Sequence, residues 1–148
     1  MNYTCTIQIN LPVSKVVELW ENEDNFKHWQ DGFVKIEHLS GEKGKVGSTA
    51  RIFLDDGKRK MELVETVLID NLPTEKKAEY VHVHMTNTQS SRFNSINENT
   101  TEYTSEVVYT TFNGFMPKLM SKLFPGMFKK QSEKWMKQFK EFAEKQAL

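Results

Sequence analysis

A single cysteine in 148 residues excludes an intrachain disulfide framework, so the chain must be held by its core. That residue, Cys5, lies in a strand-like stretch and reads as a small hydrophobe; nothing near it supplies the electropositive setting that a reactive thiolate needs. One free thiol fits a reducing, cytosolic setting. Long apolar runs are missing as well: none approaches the roughly 20 residues required to span a bilayer, which argues against stable membrane insertion. The N-terminus lacks the basic and apolar regions of a secretory signal, so the N-x-T sequons at Asn2 and Asn99 read as chance. Net charge is absent too, with 20 Lys+Arg against 20 Asp+Glu. A neutral chain is a poor candidate for nucleic-acid binding, because phosphate contacts dominate that affinity. The neutrality hides an asymmetry: residues 118–148 hold eight lysines and three glutamates, leaving 12 basic and 17 acidic groups in residues 1–117.

What is present is a long series of strand-like segments between helical ends. Tyr3–Ile9 alternates and is β-prone. Pro12 falls in the first turn of a helix reaching about Trp20, with Val13, Val16, Val17 and Trp20 on one side. A second short helix is expected over Asp24–Trp29, with Asp24 as its cap and Gly32 as its stop. Six strands then follow: Phe33–Leu39, Thr49–Leu54, Lys60–Ile69, Ala78–Asn87, Ser90–Ile96 and Glu102–Phe112. Between them stand turn signals such as Asp55-Asp56-Gly57 and Asn97-Glu98-Asn99, which imply an antiparallel meander. After Gly114, Pro117–Phe124 suits one or two helical turns, Pro125-Gly126 interrupts, and a helix from about Met127 to Gln146 carries Phe128, Ser132, Trp135, Phe139, Phe142 and Gln146 on one stripe. So aromatic a stripe must lie on the sheet. The whole reads as one α+β domain over 1–148: a seven-stranded antiparallel sheet curled around a long C-terminal helix, with a cavity where the helix does not fill the concavity.

This order resembles the START/Bet v 1-like superfamily, also called SRPBCC or polyketide cyclase/dehydrase-like proteins. The features that carry the resemblance are Leu11-Pro12-Val13 opening the first helix, Asn25-Phe26-Lys27-His28-Trp29 closing the second, Gly47 before the third strand, Leu72-Pro73 before the fifth, and the terminal helix. The resemblance implies a helix-grip fold around a deep pocket for hydrophobic or amphipathic ligands. Its members range from lipid carriers to cyclases and chaperone cofactors.

Candidate chemistry is sparse. In Tyr80-Val81-His82-Val83-His84-Met85 both imidazoles share one face of an extended chain. Burial favours Val81, Val83 and Met85 inward and the histidines outward, since a buried imidazole needs a partner. Two histidines without a third ligand do not make a metal site, and His28 and His38 have no ligand-like spacing, so neither metal nor other cofactor is expected. In Lys60–Ile69, Glu65 interrupts the apolar row Met61, Leu63, Val67 and Ile69. If that row faces the cavity, desolvation would raise the carboxyl pKa and suit it to anchor a ligand or act as a general base; if Val64, Thr66 and Leu68 face inward, Glu65 is merely solvated. Arg51, alternating with Phe53, raises the same question. In the last strand Tyr103, Ser105, Val107, Tyr109 and Thr111 form the expected inner row, because Glu106 belongs outside. The Met- and Phe-rich segment around Met120 and Phe124 reads as core or as a pocket entrance, with flanking lysines able to attract acidic head groups.

The candidate lining is therefore Trp29, Phe53, Met61, Leu63, Glu65, Phe93, Tyr103, Ser105, Val107, Tyr109, Met120, Phe124, Phe128, Trp135 and Phe139. The expected partner is a hydrophobic or amphipathic small molecule, lipid-like or polyketide-like, held without metal or nucleotide. A cyclase or dehydratase using a cavity Glu, Tyr or His is the enzymatic alternative. A protein-interaction module of chaperone-cofactor type is a third reading, which requires a filled, narrow cavity and an exposed apolar patch. Nothing in the sequence marks a symmetric interface.

Overall fold

The computed structural model describes residues 1–146. The last two residues of the expected 1–148 domain lie outside that range. Strand β1 (Asn2–Ile9) leads into α1 (Val13–Glu21), a single 3-10 turn (Glu23–Asn25) and the short α2 (Phe26–Trp29). Six strands follow: β2 (Phe33–Ser40), β3 (Thr49–Asp55), β4 (Lys60–Asn71), β5 (Glu75–Val81), β6 (Met85–Asn97) and β7 (Thr100–Phe112). Helices α3 (Phe115–Leu123) and α4 (Gly126–Lys145) complete the described chain. All seven strands form one antiparallel sheet in the order β1-β7-β6-β5-β4-β3-β2. The first strand therefore crosses to pair with the last, and the meander does the rest. This is the helix-grip arrangement.

Local chemistry explains the boundaries. Pro12 sits just before α1 with φ −58° and ψ 146°, and its carbonyl accepts from the Lys15 and Val16 N–H groups at 3.0 Å. The cap of the next turn is Asn22, whose side chain accepts from the Asp24 N–H at 3.0 Å, and not Asp24 as expected. Asparagine takes the role because it stands two residues earlier, where the chain is still extended. Gly32 then turns with φ +81°, and a Cβ there would meet the Asp55 carbonyl oxygen at 2.8 Å, so glycine alone fits. The β3–β4 hairpin closes through carboxylate turns: Asp55 accepts from the Gly57 N–H, and Asp56 from the Lys58 and Arg59 N–H groups.

One segment departs from the expectation. The expected strand Ala78–Asn87 is two strands, and the break expected before Ser90 comes at Val83-His84. His82 and Met85 exchange both backbone hydrogen bonds, at 2.9 and 3.3 Å, closing a two-residue loop. Asn113 caps the loop from outside, its N–H donating to the His84 carbonyl at 2.7 Å. The valines are consequently turned outward, with Val83 72% exposed and Val81 41%.

The core gathers where α1, α2 and the C-terminal half of α4 meet the sheet. Ile9, Val16, Phe139 and Ala143 are fully buried there, joined by Leu19, Trp29, Phe93 and Tyr103. Trp20 packs edge-on to Phe93 at 5.2 Å between ring centres, and Phe93 stacks on Tyr103 at 4.7 Å. Burying a side chain of this size is worth about 1.5–3 kcal/mol, so these residues supply most of the anchorage of α4.

Candidate functional site

Away from that core the concave sheet and α4 separate. The space between them is a cavity of about 930 Å³, large enough for a drug-sized or lipid-like molecule. Strands β3 and β4 supply one wall through Ala50, Ile52, Leu54, Met61, Leu63 and Glu65. Strands β6 and β7 supply the floor through Asn87, Gln89, Ser91, Tyr103, Ser105, Val107 and Tyr109. The roof is Phe128, Gln131, Ser132, Trp135 and Met136 of α4, with Trp29 and Phe26 beside them.

Ten of the expected lining residues thus face this space: Trp29, Met61, Leu63, Glu65, Tyr103, Ser105, Val107, Tyr109, Phe128 and Trp135. Five do not. Phe53 lies on the outer face with Arg51, because Ala50, Ile52 and Leu54 take the inward register, and the Lys35 ammonium sits 4.7 Å over its ring. Phe93 and Phe139 are closed into the packed core, Phe93 stacked on Tyr103 and Phe139 edge-on to Trp29, and neither lines the cavity. Met120 and Phe124 belong to α3 and its exit, outside the cavity; Phe124 is half exposed. Tyr80 and His82 line the cavity although the alternation argument turned their row outward, whereas Met85 faces inward as expected. The error has one source, a turn without glycine, proline, asparagine or aspartate.

The row parity around Glu65 is now explicit. Its carboxylate accepts a hydrogen bond from the Tyr80 hydroxyl at 2.9 Å across the β4–β5 pair. Burial raises the Glu65 carboxyl above the ordinary range, opposed in part by the Tyr80 bond and the Lys76 charge. The Tyr80 hydroxyl is pushed well up, again by burial first and then by the neighbouring carboxylate. Both side chains line the cavity, yet protein surrounds them on every other side. They form a polar pair inside a largely apolar wall.

Further along the cavity, Tyr103 accepts from the Trp20 indole N–H at 3.3 Å, and burial pushes its phenol up to about 12. Gln89 donates to the Ser105 hydroxyl at 3.2 Å. Under α4, the Tyr3 hydroxyl and the Ser132 hydroxyl lie 2.7 Å apart, and burial raises the Tyr3 and Tyr109 phenols. The indole N–H groups of Trp29 and Trp135, both cavity-lining residues, are buried with no hydrogen-bond partner among the described residues. At one end of the cavity His38 bonds Glu23 at 2.9 Å. At the other, Lys134 pairs with Asp31 at 2.7 Å and Gln138 donates to the same carboxylate, tying α4 to the loop before β2. His82 lines this second end beside Arg59, its imidazole held below the usual value by burial and then by His84. No group of three or more His, Cys, Asp or Glu residues among the described residues is placed to hold a metal ion.

The fold so defined is that of the START/Bet v 1-like superfamily. The chain is similar to the ZhuI aromatase/cyclase from Streptomyces sp. R1128, with a TM-score of 0.83 at 11% identity over 100% of this chain and 96% of that one. It is also similar to Ara h 8.0201, with a TM-score of 0.71 at 8% identity over 97% of each chain. Norcoclaurine synthase from Thalictrum flavum, solved with dopamine and hydroxybenzaldehyde, aligns with a TM-score of 0.70 at 10% identity over 96% of this chain and 85% of that one. No protein-family model matches the sequence, and no curated protein matches it. At such identities the likeness is one of fold.

Proposed function

We propose that the protein binds a hydrophobic or amphipathic small molecule between the sheet and α4, with its polar end at Glu65 and Tyr80. The observation that carries this reading is the pairing of a cavity of about 930 Å³ with one buried carboxyl–phenol pair in its apolar wall. Ile52, Leu54, Met61, Leu63, Val107, Phe128 and Trp135 offer the guest body a surface whose burial is worth about 25 cal/mol per Å². The Glu65 and Tyr80 groups favour a guest whose end donates a hydrogen bond, such as an amine or hydroxyl, because the carboxyl is the acceptor left over. Neither metal nor nucleotide is needed for this, and a cytosolic setting suits the single free thiol.

A catalytic role of cyclase or dehydratase type is the second reading. It is favoured by the Glu65 carboxyl, raised above the ordinary range by burial and so a better proton acceptor than a solvated carboxylate, with Tyr80 positioned to orient a carbonyl or stabilise an oxyanion. The ZhuI likeness in fold is compatible with it. The chaperone-cofactor reading required a filled cavity, and the open volume weighs against it. Native mass spectrometry of protein purified from its source tests the proposal: a retained organic mass of one per chain is expected. Apo protein that also takes up no amphipathic probe would reject it.

A further inference from the structure

Helix α3 is apolar on the outside, where a soluble helix is ordinarily polar. None of its residues is buried, while Phe115 is 76% exposed, Met116 59% and Leu123 60%. At 100° per residue those three, with Leu119 and Met120, share one arc, and Lys118 and Lys122 border one edge of it. Phe124 and Met127 extend the patch past the helix end, both about half exposed. Val83, also exposed, lies on the turn that Asn113, two residues before Phe115, bonds through the turn's backbone carbonyls. Single exposed apolar residues need no explanation, but a run of them along one helix arc and its exit does.

The charge around the patch is of one sign. From residue 107 to residue 132 the chain has no Asp or Glu, whereas Lys118, Lys122, Lys129 and Lys130 are all exposed. None of the four makes an ion pair among the described residues. Their neighbours further along α4 differ: Lys134 is committed to Asp31 and Lys140 to Glu144. The patch also adjoins the cavity, because Met127 and Phe128 at the start of α4 line it.

We propose that α3 and the α3–α4 junction dock on an anionic lipid bilayer, setting the cavity mouth against the membrane surface. Phe115, Leu123 and Phe124 enter the interface between head groups and acyl chains, while the four lysines reach lipid phosphates from the rim. The depth is that of an interfacial helix and not of a span, in keeping with the absence of any membrane-crossing helix among the described residues. An apolar guest then passes between bilayer and cavity without crossing bulk water. That purpose rests on the binding function proposed above; the docking itself does not. A partner protein with an acidic groove would also attract the lysines, but it would not require aromatic and aliphatic side chains to project from a convex helix.

Vesicle co-sedimentation of the full chain tests this, using phosphatidylcholine alone and phosphatidylcholine mixed with phosphatidylglycerol. Partition into the mixed vesicles and little into the neutral ones is expected, weakening as salt rises. Lys118→Gln with Lys122→Gln should weaken that partition about 30-fold, while Lys137→Gln with Lys145→Gln, which removes equal charge elsewhere, should leave it nearly unchanged. Leu123→Ser with Phe124→Ser should abolish it, and because both side chains are exposed the variant should fold. Equal sedimentation with both vesicle types, no partition at all, or binding that the lysines control and the apolar variant does not, would each overturn the proposal. The last is the result an acidic protein partner would leave. Uptake of 1-aminoanthracene by the same variants, measured without vesicles, separates this question from cavity binding: failure of docking leaves uptake intact, and failure of uptake leaves docking intact.

Discussion

The C-terminal half of α4 and its N-terminal half meet the same sheet with opposite results. Around Phe139 and Ala143 the helix shares the concave face with α1 and α2, and Val16, Leu19 and Trp29 fill the intervening space completely. Around Phe128 and Trp135 the company thins to Phe26 and Trp29 at one side, and the sheet from β3 to β7 leaves a space beneath the helix. One helix therefore serves two tasks. Its second half holds the fold, and its first half roofs a cavity whose stability cost is limited because other residues carry the anchorage. The comparison teaches that the short helices after β1 decide where the grip is solid and where it is hollow.

Substitutions in either half of α4 separate the two roles, and the largest effect belongs to the packed half. Phe139→Ala should destabilise the protein by about 3–5 kcal/mol in urea denaturation, since a fully buried ring leaves a cavity in a closed core. On the hollow side, Leu63→Trp should fill space and cost little stability, yet weaken 1-aminoanthracene binding by roughly 30-fold or more, about 2 kcal/mol in fluorescence titration. Equal stability losses at the two positions would erase the distinction. Glu65→Gln removes the charged acceptor and should weaken the same probe by about tenfold, consistent with a hydrogen bond to a charged group.

That substitution also sharpens the electrostatic side. The folded state holds the Glu65 proton more tightly than the unfolded chain, because burial raises the carboxyl. Its contribution to stability is complete below the ordinary carboxylate range and is lost as pH rises through the raised folded value. Glu65→Gln should therefore gain on the wild type over that interval in thermal melts across pH, and stay level above it. A difference that shrinks with rising pH would mean that the carboxylate is stabilised, not strained, in its pocket. The smallest effect is expected at Tyr3→Phe, which deletes one partly buried bond to Ser132 and should cost about 1 kcal/mol.

Much of this architecture was legible from residue order. Pro12, the Asp55-Asp56-Gly57 turn and the aromatic stripe of the terminal helix each carry a local cause, and the helices and most strand limits follow from them. The inner row of β7 could be read because Glu106 is too costly to bury. The β5–β6 turn could not, since Val83 and His84 carry no turn signal and the turn is secured by Asn113, 29 residues further on. The parity of β4 was equally hidden: both of its rows are mixed, and only pairing with Tyr80 on β5 shows which one turns Glu65 inward. Phe93 and Phe139 were misplaced for a related reason. Periodicity tells which side of an element is apolar, and not whether that side meets another side chain or a void.

Calorimetric titration of the wild-type chain and Leu63→Trp with 1-aminoanthracene tests the hollow half of the comparison most directly. Saturable binding of one molecule per wild-type chain is expected, with a negative heat-capacity change and with loss of binding in the filled variant. Heats that never saturate, or identical isotherms for the two proteins, would contradict the cavity as the place where a guest is held.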